Sequence, residues 1–292
     1  MYKSIIANTL RFFSDQSLNT PMVPIQSVQD KKDILVETDV KDTYISCYYP
    51  KGATGENLPV YINLHGGAFI MNSKEMDDPY CRQIANNTGC VVINVDYAKA
   101  PEYPFPGPVE QSYQLLHWIK DHAKDLKIDP EKIMVGGQSS GGNIMAALCL
   151  LLKERNEPQP LLQVLICPML DFVTPHADKP EGDPGRARFP QAAHFLNLCY
   201  VPERNQAEHP LASPVLAPHT DKLAPALIIA AEYDAFSQEA ETYADKLRNA
   251  SVPVRHEVFE DCYHAFTHLG PELKAQQAWT MIENEIRKTI QS

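Results

Sequence analysis

Lys132-Ile133-Met134-Val135-Gly136-Gly137-Gln138-Ser139-Ser140-Gly141-Gly142-Asn143, followed by the apolar run Ile144 to Leu152, is the stretch that decides the fold. A short run of strand-forming residues, Lys132 to Val135, ends in a glycine-rich turn, and helical spacing begins at once behind it. Within the turn, Gly137-x-Ser139-x-Gly141 puts a serine on a sharp strand-to-helix bend, where neighbours two positions away must lack side chains to avoid collision. A glycine-rich bend without chemistry would have the same composition, but the position between strand and helix favours a nucleophile. The Gly-Lys-Ser/Thr ending of a phosphate loop is missing, and the glycines do not fall in GxGxxG register.

Working outward, apolar runs at Tyr44 to Tyr49, Pro59 to Leu64, Cys90 to Val95, Leu161 to Ile166, Pro225 to Ala231 and Val254 to Phe259 predict further strands. Helical spacing covers Pro79 to Asn87, Val109 to Lys124, Gly141 to Arg155, Gln238 to Asn249 and Pro271 to Ile290. The alternation from about residue 59 predicts an α/β fold: a mainly parallel central sheet flanked by helices on both faces, preceded by one or two antiparallel strands. Ligands in such sheets bind beyond the carboxyl ends of the strands. Phe172 to Pro218 breaks the rhythm, with much Pro, Gly, Asp and His and a short helix near Gln191 to Tyr200. It is too long for an ordinary connection and reads as a small cap inserted over the strand ends. The predicted division is an N-terminal cap segment (1–30) carrying Ile5, Ile6, Leu10, Phe12 and Phe13, a core (31–171 and 219–292) and the cap insertion (172–218).

Composition narrows the function. The 292 residues are 44% hydrophobic and 22% charged, enough for a large core, and the net charge of -11 offers no basic stripe for nucleic acid. Seven scattered cysteines without a CxxC pair predict reduced, mostly buried thiols rather than disulfides or a metal site. Neither a signal peptide nor a bilayer-spanning run is visible, so a cytoplasmic protein without stable membrane insertion is expected. The sequence leaves the oligomeric state open, a homodimer included.

A serine nucleophile needs a base, and the base an orienting carboxylate. His264 follows the last predicted strand, with His268 one helical turn further as the reserve. His256 lies within that strand, His117 and His122 lie on a helix, and the cap histidines are expected at the surface. Asp234 lies just past the strand Pro225 to Ala231, with Glu232 as its rival, while Asp261 is too near His264 in sequence to be its partner. The strand Pro59 to Leu64 runs into His65-Gly66-Gly67-Ala68-Phe69, whose glycines let backbone N–H groups approach a substrate oxygen.

These motifs, with Val95-Asp96-Tyr97-Ala98-Lys99-Ala100-Pro101-Glu102, Leu211-Ala212-Ser213-Pro214 and the order Ser139, Asp234, His264, resemble the hormone-sensitive lipase family of α/β-hydrolases, the bacterial family IV carboxylesterases. The resemblance runs from about residue 58 to the end. It implies an α/β-hydrolase fold with a small cap, and hydrolysis of small, short-chain acyl esters through an acyl-enzyme, with no cofactor or metal. The catalytic roles fall on Ser139, Asp234 and His264. The oxyanion hole falls on the Gly66-Gly67-Ala68 loop and Ser140, through the N–H groups of Gly67, Ala68 and Ser140, and His65 braces the loop. This chain departs from the family at Gln138 and Ser140, where Asp and Ala are usual, at Ala98-Lys99 in place of Arg-Leu, and at Ala235-Phe236 in place of Pro-Leu. An amidase or deacetylase on the same scaffold differs only in leaving group. A non-catalytic small-molecule receptor is the competing class, against which the presence of His264 speaks.

Overall fold

A computed structural model describes residues 2–16, 20–53 and 55–292; Met1 and residues 17–19, which belong to the expected N-terminal cap segment, lie outside the described residues. One eight-stranded sheet is formed by β1 (Asp30–Val36), β2 (Thr43–Tyr49), β3 (Leu58–Leu64), β4 (Val91–Val95), β5 (Ile128–Gln138), β6 (Gln163–Ile166), β7 (Ala226–Tyr233) and β8 (Val254–Tyr263). Their order is β1-β2-β4-β3-β5-β6-β7-β8. Only β2 runs against its neighbours, pairing antiparallel with β1 and with β4, and every other pair is parallel. The expected mainly parallel sheet is therefore present.

The helices are α1 (Tyr2–Gln16), α2 (Asp78–Thr88), α3 (Gly107–Asp121), α4 (Ser140–Glu154), α5 (Pro184–Ala187), α6 (Pro190–Tyr200), α7 (Arg204–Ala207), α8 (Ser237–Asn249), α9 (Phe266–Leu269) and α10 (Glu272–Gln291). Successive strand side chains point to opposite faces, and two cores result. Val60, Ile62, Leu64, Ile93, Val135 and Ile228 pack with α3, α4 and α8, while Tyr61, Val92, Met134, Val164 and Ile229 pack with α2 and α10. From Ser140 to Leu152 every residue of α4 is buried, as befits a helix apolar on all sides.

β1 is the second of the one or two antiparallel strands expected, but its place in the sequence was not read. Its sequence, Asp-Lys-Lys-Asp-Ile-Leu-Val, lacks an alternating pattern because it is the sheet's edge, where charge guards against pairing with another chain. It takes its register from β2, with Asp30 opposite Tyr49 and Val36 opposite Thr43.

Two polar fastenings tie the irregular segments to this frame. Arg11 of α1 donates to the carbonyls of Ile70 (2.8 Å) and Ala100 (2.6 Å) and pairs with Glu102 (2.6 Å). Lys179, in the long segment between β6 and β7, donates to Glu239 of α8 at 2.8 Å and to the Asp171 carbonyl at 2.6 Å, both charged groups being buried. Glu239 also accepts the Leu170 N–H at 2.8 Å. Burial pushes the Glu239 carboxyl up to about 7, against the pull of Lys179. A carboxyl raised above its ordinary 4.5 contributes stability that is present at low pH and is lost as pH rises through about 7. Urea unfolding at pH 5 and pH 8 is expected to show the wild type losing more stability across that interval than Glu239→Gln; equal losses would remove Glu239 as the source.

Candidate active site

The site forms at the carboxyl ends of β3, β5, β7 and β8. β3 and β5 are adjacent where the chain order of the sheet reverses, which opens a crevice between the two loops that follow them. The last residue of β5, Gln138, is followed by Ser139 at φ 52°, ψ −111°, a left-handed backbone that costs an ordinary residue energy. Packing enforces it. A Cβ on Gly141 would lie 2.2 Å from the Leu64 carbonyl oxygen, and one on Gly137 would lie 2.5 Å from the Gly141 carbonyl carbon. Only glycine at both positions lets the first turn of α4 press against the end of β3, and the serine is carried into the bend between them.

The structure brings together the three side chains singled out by motif. Ser139 Oγ lies 3.0 Å from His264 Nε2, and His264 Nδ1 lies 2.8 Å from Asp234 Oδ2. A carboxylate only accepts, so Nδ1 carries the hydrogen and Nε2 is left facing the serine. The other oxygen of Asp234 accepts the Phe236 N–H at 3.1 Å, and the Phe236 ring meets His264 edge-on at 5.1 Å.

The rivals are engaged elsewhere. Glu232 accepts the Asp261 N–H at 2.9 Å, and Asp261 faces the Tyr233 hydroxyl. His268 turns Nε2 to Asp77 (2.9 Å) and Nδ1 to the Thr267 hydroxyl (3.0 Å), so neither ring nitrogen serves Ser139. Asp77 is buried, and although burial opposes ionisation, the hydrogen bond and charge of His268 hold its carboxyl low. Among the cap histidines, His194 and His209 are exposed as expected, whereas His176 lines the cavity beside Glu181.

After β3 the chain turns through Gly66, Gly67 and Ala68. Gly67 sits at φ 135°, where a Cβ would lie 2.2 Å from the Met71 carbonyl oxygen. His65, fully buried, stacks on Tyr97 at 4.5 Å, directs Nδ1 to the Gly66 carbonyl at 2.6 Å and approaches Asp96 at 3.4 Å. Burial works against the Asp96 charge, but His65 and Lys99 hold its carboxyl well below the usual range. The N–H groups of Gly67, Ala68 and Ser140 have no acceptor among the described residues. The Ser140 hydroxyl is held by Tyr97 at 3.0 Å.

These loops open into a cavity of about 890 Å³ that contains Ser139, His264, Gly66, Gly67 and Ala68. Its walls include Ile25, reached from the N-terminal segment, and Phe189, Ala193 and Leu196 from the segment between β6 and β7. One group of metal-capable side chains converges among the described residues: Cys167, Asp234 and His264 place ligand atoms within 4.8 Å of one another. Burial and the neighbouring Asp234 charge drive the Cys167 thiol well up, and the carboxylate and imidazole already bond each other, so the set is poorly suited to a cation. All seven cysteines are free and buried, as expected.

Residues 61–268 match the family model described as the alpha/beta hydrolase fold. The chain belongs to the α/β-hydrolase family. An arylesterase of Saccharolobus solfataricus is 32% identical over 269 residues, covering 89% of this chain and 84% of the relative. Carboxylesterase NlhH of Mycobacterium tuberculosis is 30% identical over 244 residues, covering 82% and 76%. A hyperthermophilic esterase from the archaeon Pyrobaculum calidifontis superposes with a TM-score of 0.86 at 28% identity, covering 99% of this chain and 94% of its own. The resemblance to the hormone-sensitive lipase branch holds.

Within this α/β-hydrolase the departures have local answers. Lys99 pairs with Asp96 at 2.5 Å, a contact made three residues back in the chain, and Phe236 packs on the imidazole of His264. Among the described residues, no helix is long and apolar enough to cross a membrane. Because the elbow depends on a missing side chain, Gly141→Ala is expected to lower unfolding free energy by about 3 kcal/mol or more and to depress activity in step. Gly55→Ala, where a Cβ meets nothing within 4 Å, should leave both near wild type. Denaturant melts on the two variants check this, and a fully stable Gly141→Ala would refute the packing account.

Proposed function

We propose that this α/β-hydrolase cleaves carboxylic esters through an acyl-enzyme on Ser139, with His264 as general base and Asp234 as its orienting carboxylate. The observation that carries the reading is the unbroken chain of hydrogen bonds from Ser139 through His264 to Asp234, set in an apolar-walled cavity. The arylesterase and carboxylesterase relatives support the reaction class.

Attack begins when His264 Nε2 takes the Ser139 proton and Oγ adds to the ester carbonyl. The imidazolium formed is held by Asp234. The developing oxyanion takes the N–H groups of Gly67, Ala68 and Ser140, and bare Gly66 keeps the loop close, since a Cβ there would stand 3.3 Å from the Gln138 carbonyl oxygen. The imidazolium then returns its proton to the leaving alcohol. Water, deprotonated by the same nitrogen, releases the acid in a second cycle. Removing the nucleophile in Ser139→Ala should cut turnover by about four to six orders of magnitude, and Asp234→Asn, which favours the wrong tautomer, by about four. Single-turnover assays with a chromogenic ester check both, and a tenth of wild-type activity in clean Ser139→Ala would sink the assignment.

The substrates are small esters with short acyl chains, bounded by a cap built from the N-terminal segment and residues 172–218. Phe189, Leu196 and Ile25 supply apolar wall on the side away from the sheet, and the cavity must house both halves of the ester. Each methylene that fits adds up to about 0.8 kcal/mol, roughly fourfold in kcat/KM, and methylenes beyond the wall add nothing. A panel of acyl lengths, run on wild type and on a variant lacking the first twenty residues, should show an early plateau that the truncation displaces. A profile climbing steadily into long chains, or one the truncation leaves unchanged, contradicts the cap model and spares the triad.

A further inference from the structure

Arg186 stands in the cavity wall with no part in the triad, the oxyanion loop or the apolar lining. A guanidinium carries its charge at every working pH and offers five N–H donors in a fixed fork. Here that fork meets no hydrogen-bond acceptor among the described residues, and the nearest carboxylate oxygen, Asp183 Oδ2, lies 4.0 Å from Nε. The carboxylates around it are turned to other partners. Asp183 Oδ1 accepts the N–H groups of Gly185 (2.7 Å) and Arg186 (3.3 Å) at the start of α5. Glu181 accepts the Asp183 N–H at 2.9 Å and faces His176 Nε2 at 3.5 Å. Glu75 and Asp78, also in the lining, already bond cations: Lys74 at 2.8 Å for the first, Arg82 at 2.6 Å and Lys31 at 2.8 Å for the second.

The charge is both accessible and turned toward the site. The Arg186 side chain keeps 39% of its surface exposed. The rings of Phe236 and His176 step away from His264, at 5.1 and then 6.1 Å between centroids, and all three line the same cavity as Arg186. Burial lowers the His176 pKa, and the charges of Lys179 and Arg186 add to the fall against the pull of Glu181. The Arg186 charge also reaches the buried Cys167 thiol, whose sulfur stands within 4.8 Å of the Asp234 carboxylate and the His264 ring. The segment that carries it is anchored to the core: Lys179 is locked to Glu239, and at Gly182 the chain presses on β7, where a Cβ would stand 2.8 Å from Tyr233 Cβ. Anchoring of this kind fixes a binding group before substrate arrives. A neutral short ester leaves the charge unanswered. It also leaves much of the cavity of about 890 Å³ unfilled, since pockets of roughly 300–1,000 Å³ house drug-sized ligands.

We propose that Arg186 receives a carboxylate carried by the ester, making short esters that bear an anionic group the preferred substrates of this cavity over neutral esters of the same size. The inference rests on the ester-hydrolase reading above and names its substrate class. Arg186 is the specificity-determining residue; no bond is made or broken there. The carboxylate meets the fork through two parallel N–H···O bonds, stronger than neutral ones, and the apolar wall of Phe189 and Leu196 limits the water that competes for them.

The test follows ester cleavage by pH-stat in matched pairs. In one arm the anion sits in the acyl half: the monoethyl esters of glutarate and adipate are compared with the ethyl esters in which an isopropyl group replaces the carboxylate. In the other arm it sits in the alcohol half: the acetates of the matching terminal hydroxy acids are compared with those of the matching branched alcohols. For the full-length protein, kcat/KM is expected to favour the anion in at least one arm by about tenfold or more. Arg186→Met, which keeps much of the stem and removes the charge, should bring that ratio to one or below. Raising salt from about 0.02 M to about 0.5 M should shrink the ratio in the wild type, a measurement that stands even if the methionine variant folds poorly. A merely structural role would slow both members of a pair together and leave the ratio unmoved. Ratios near one or below in both arms overturn the proposal, as does a high ratio that survives Arg186→Met or is indifferent to salt. Failure of the underlying reading looks different: cleavage of neutral and anionic esters alike would persist in Ser139→Ala.

Discussion

Where α4 crosses the end of β3, backbone meets backbone at a distance that leaves no room for a side chain, and the remainder of the site is arranged around that contact. Gly141 against the Leu64 carbonyl fixes how near the first turn of α4 comes to the loop after β3. That spacing sets the bend at Ser139, its positive φ, and the direction in which the Ser140 N–H points. It also sets the separation between Ser139 and the Gly66-Gly67-Ala68 turn. The strain at Ser139 is offset by α4, buried from Ser140 to Leu152, and by the β5–β6 and β3–β5 ladders on either side.

Behind the visible site lies a layer of buried polar groups, each with a specific partner. His65 is caught between Tyr97, Asp96 and the Gly66 carbonyl, so the Gly66-Gly67-Ala68 loop is held from below by an imidazole outside the cavity lining. On the other flank, Asp77 and His268 form a second carboxylate–imidazole pair, linked through Asn63 to Asn94 at 3.0 Å. The two pairs use the same chemistry for different ends. One leaves an imidazole nitrogen facing the Ser139 hydroxyl; the other spends both ring nitrogens on Asp77 and the Thr267 hydroxyl.

What could be read from the sequence follows from how local each signal is. The elbow was legible because strand, glycines, serine and helix are consecutive, and the sterics that demand glycine act within a few residues. Asp234 and His264 were legible because each follows an apolar run that could only be a strand, and chain order then paired them. The frame of seven strands was readable from alternation, whereas β1 was not, since its charged face answers to the solvent at an edge and its register comes wholly from β2. The Asp77–His268 pair spans 191 residues, with Asp77 in a single turn of 3-10 helix (Lys74–Asp77), so neither residue carries a local mark of the other. His268 was visible only as a second candidate base. The clasp of Arg11 on Ile70, Ala100 and Glu102 was hidden for the same reason, although the apolar residues of the segment that carries it were not.

Ser139 and His264 are separated by 125 residues, and the imidazole is delivered from the end of β8, the strand at the far edge of the sheet. During vectorial synthesis the strained serine therefore leaves the ribosome long before the imidazole that faces it. In that interval β5 can pair with β3 and α4 can seat, but the hydroxyl has no partner to take its proton and is an ordinary alcohol. Only when β7 and β8 add to the growing edge does the last element bring the imidazole into register. On the proposed roles, chemical competence arrives with topological completion, and a nascent chain stalled before β8 lacks the imidazole its serine needs.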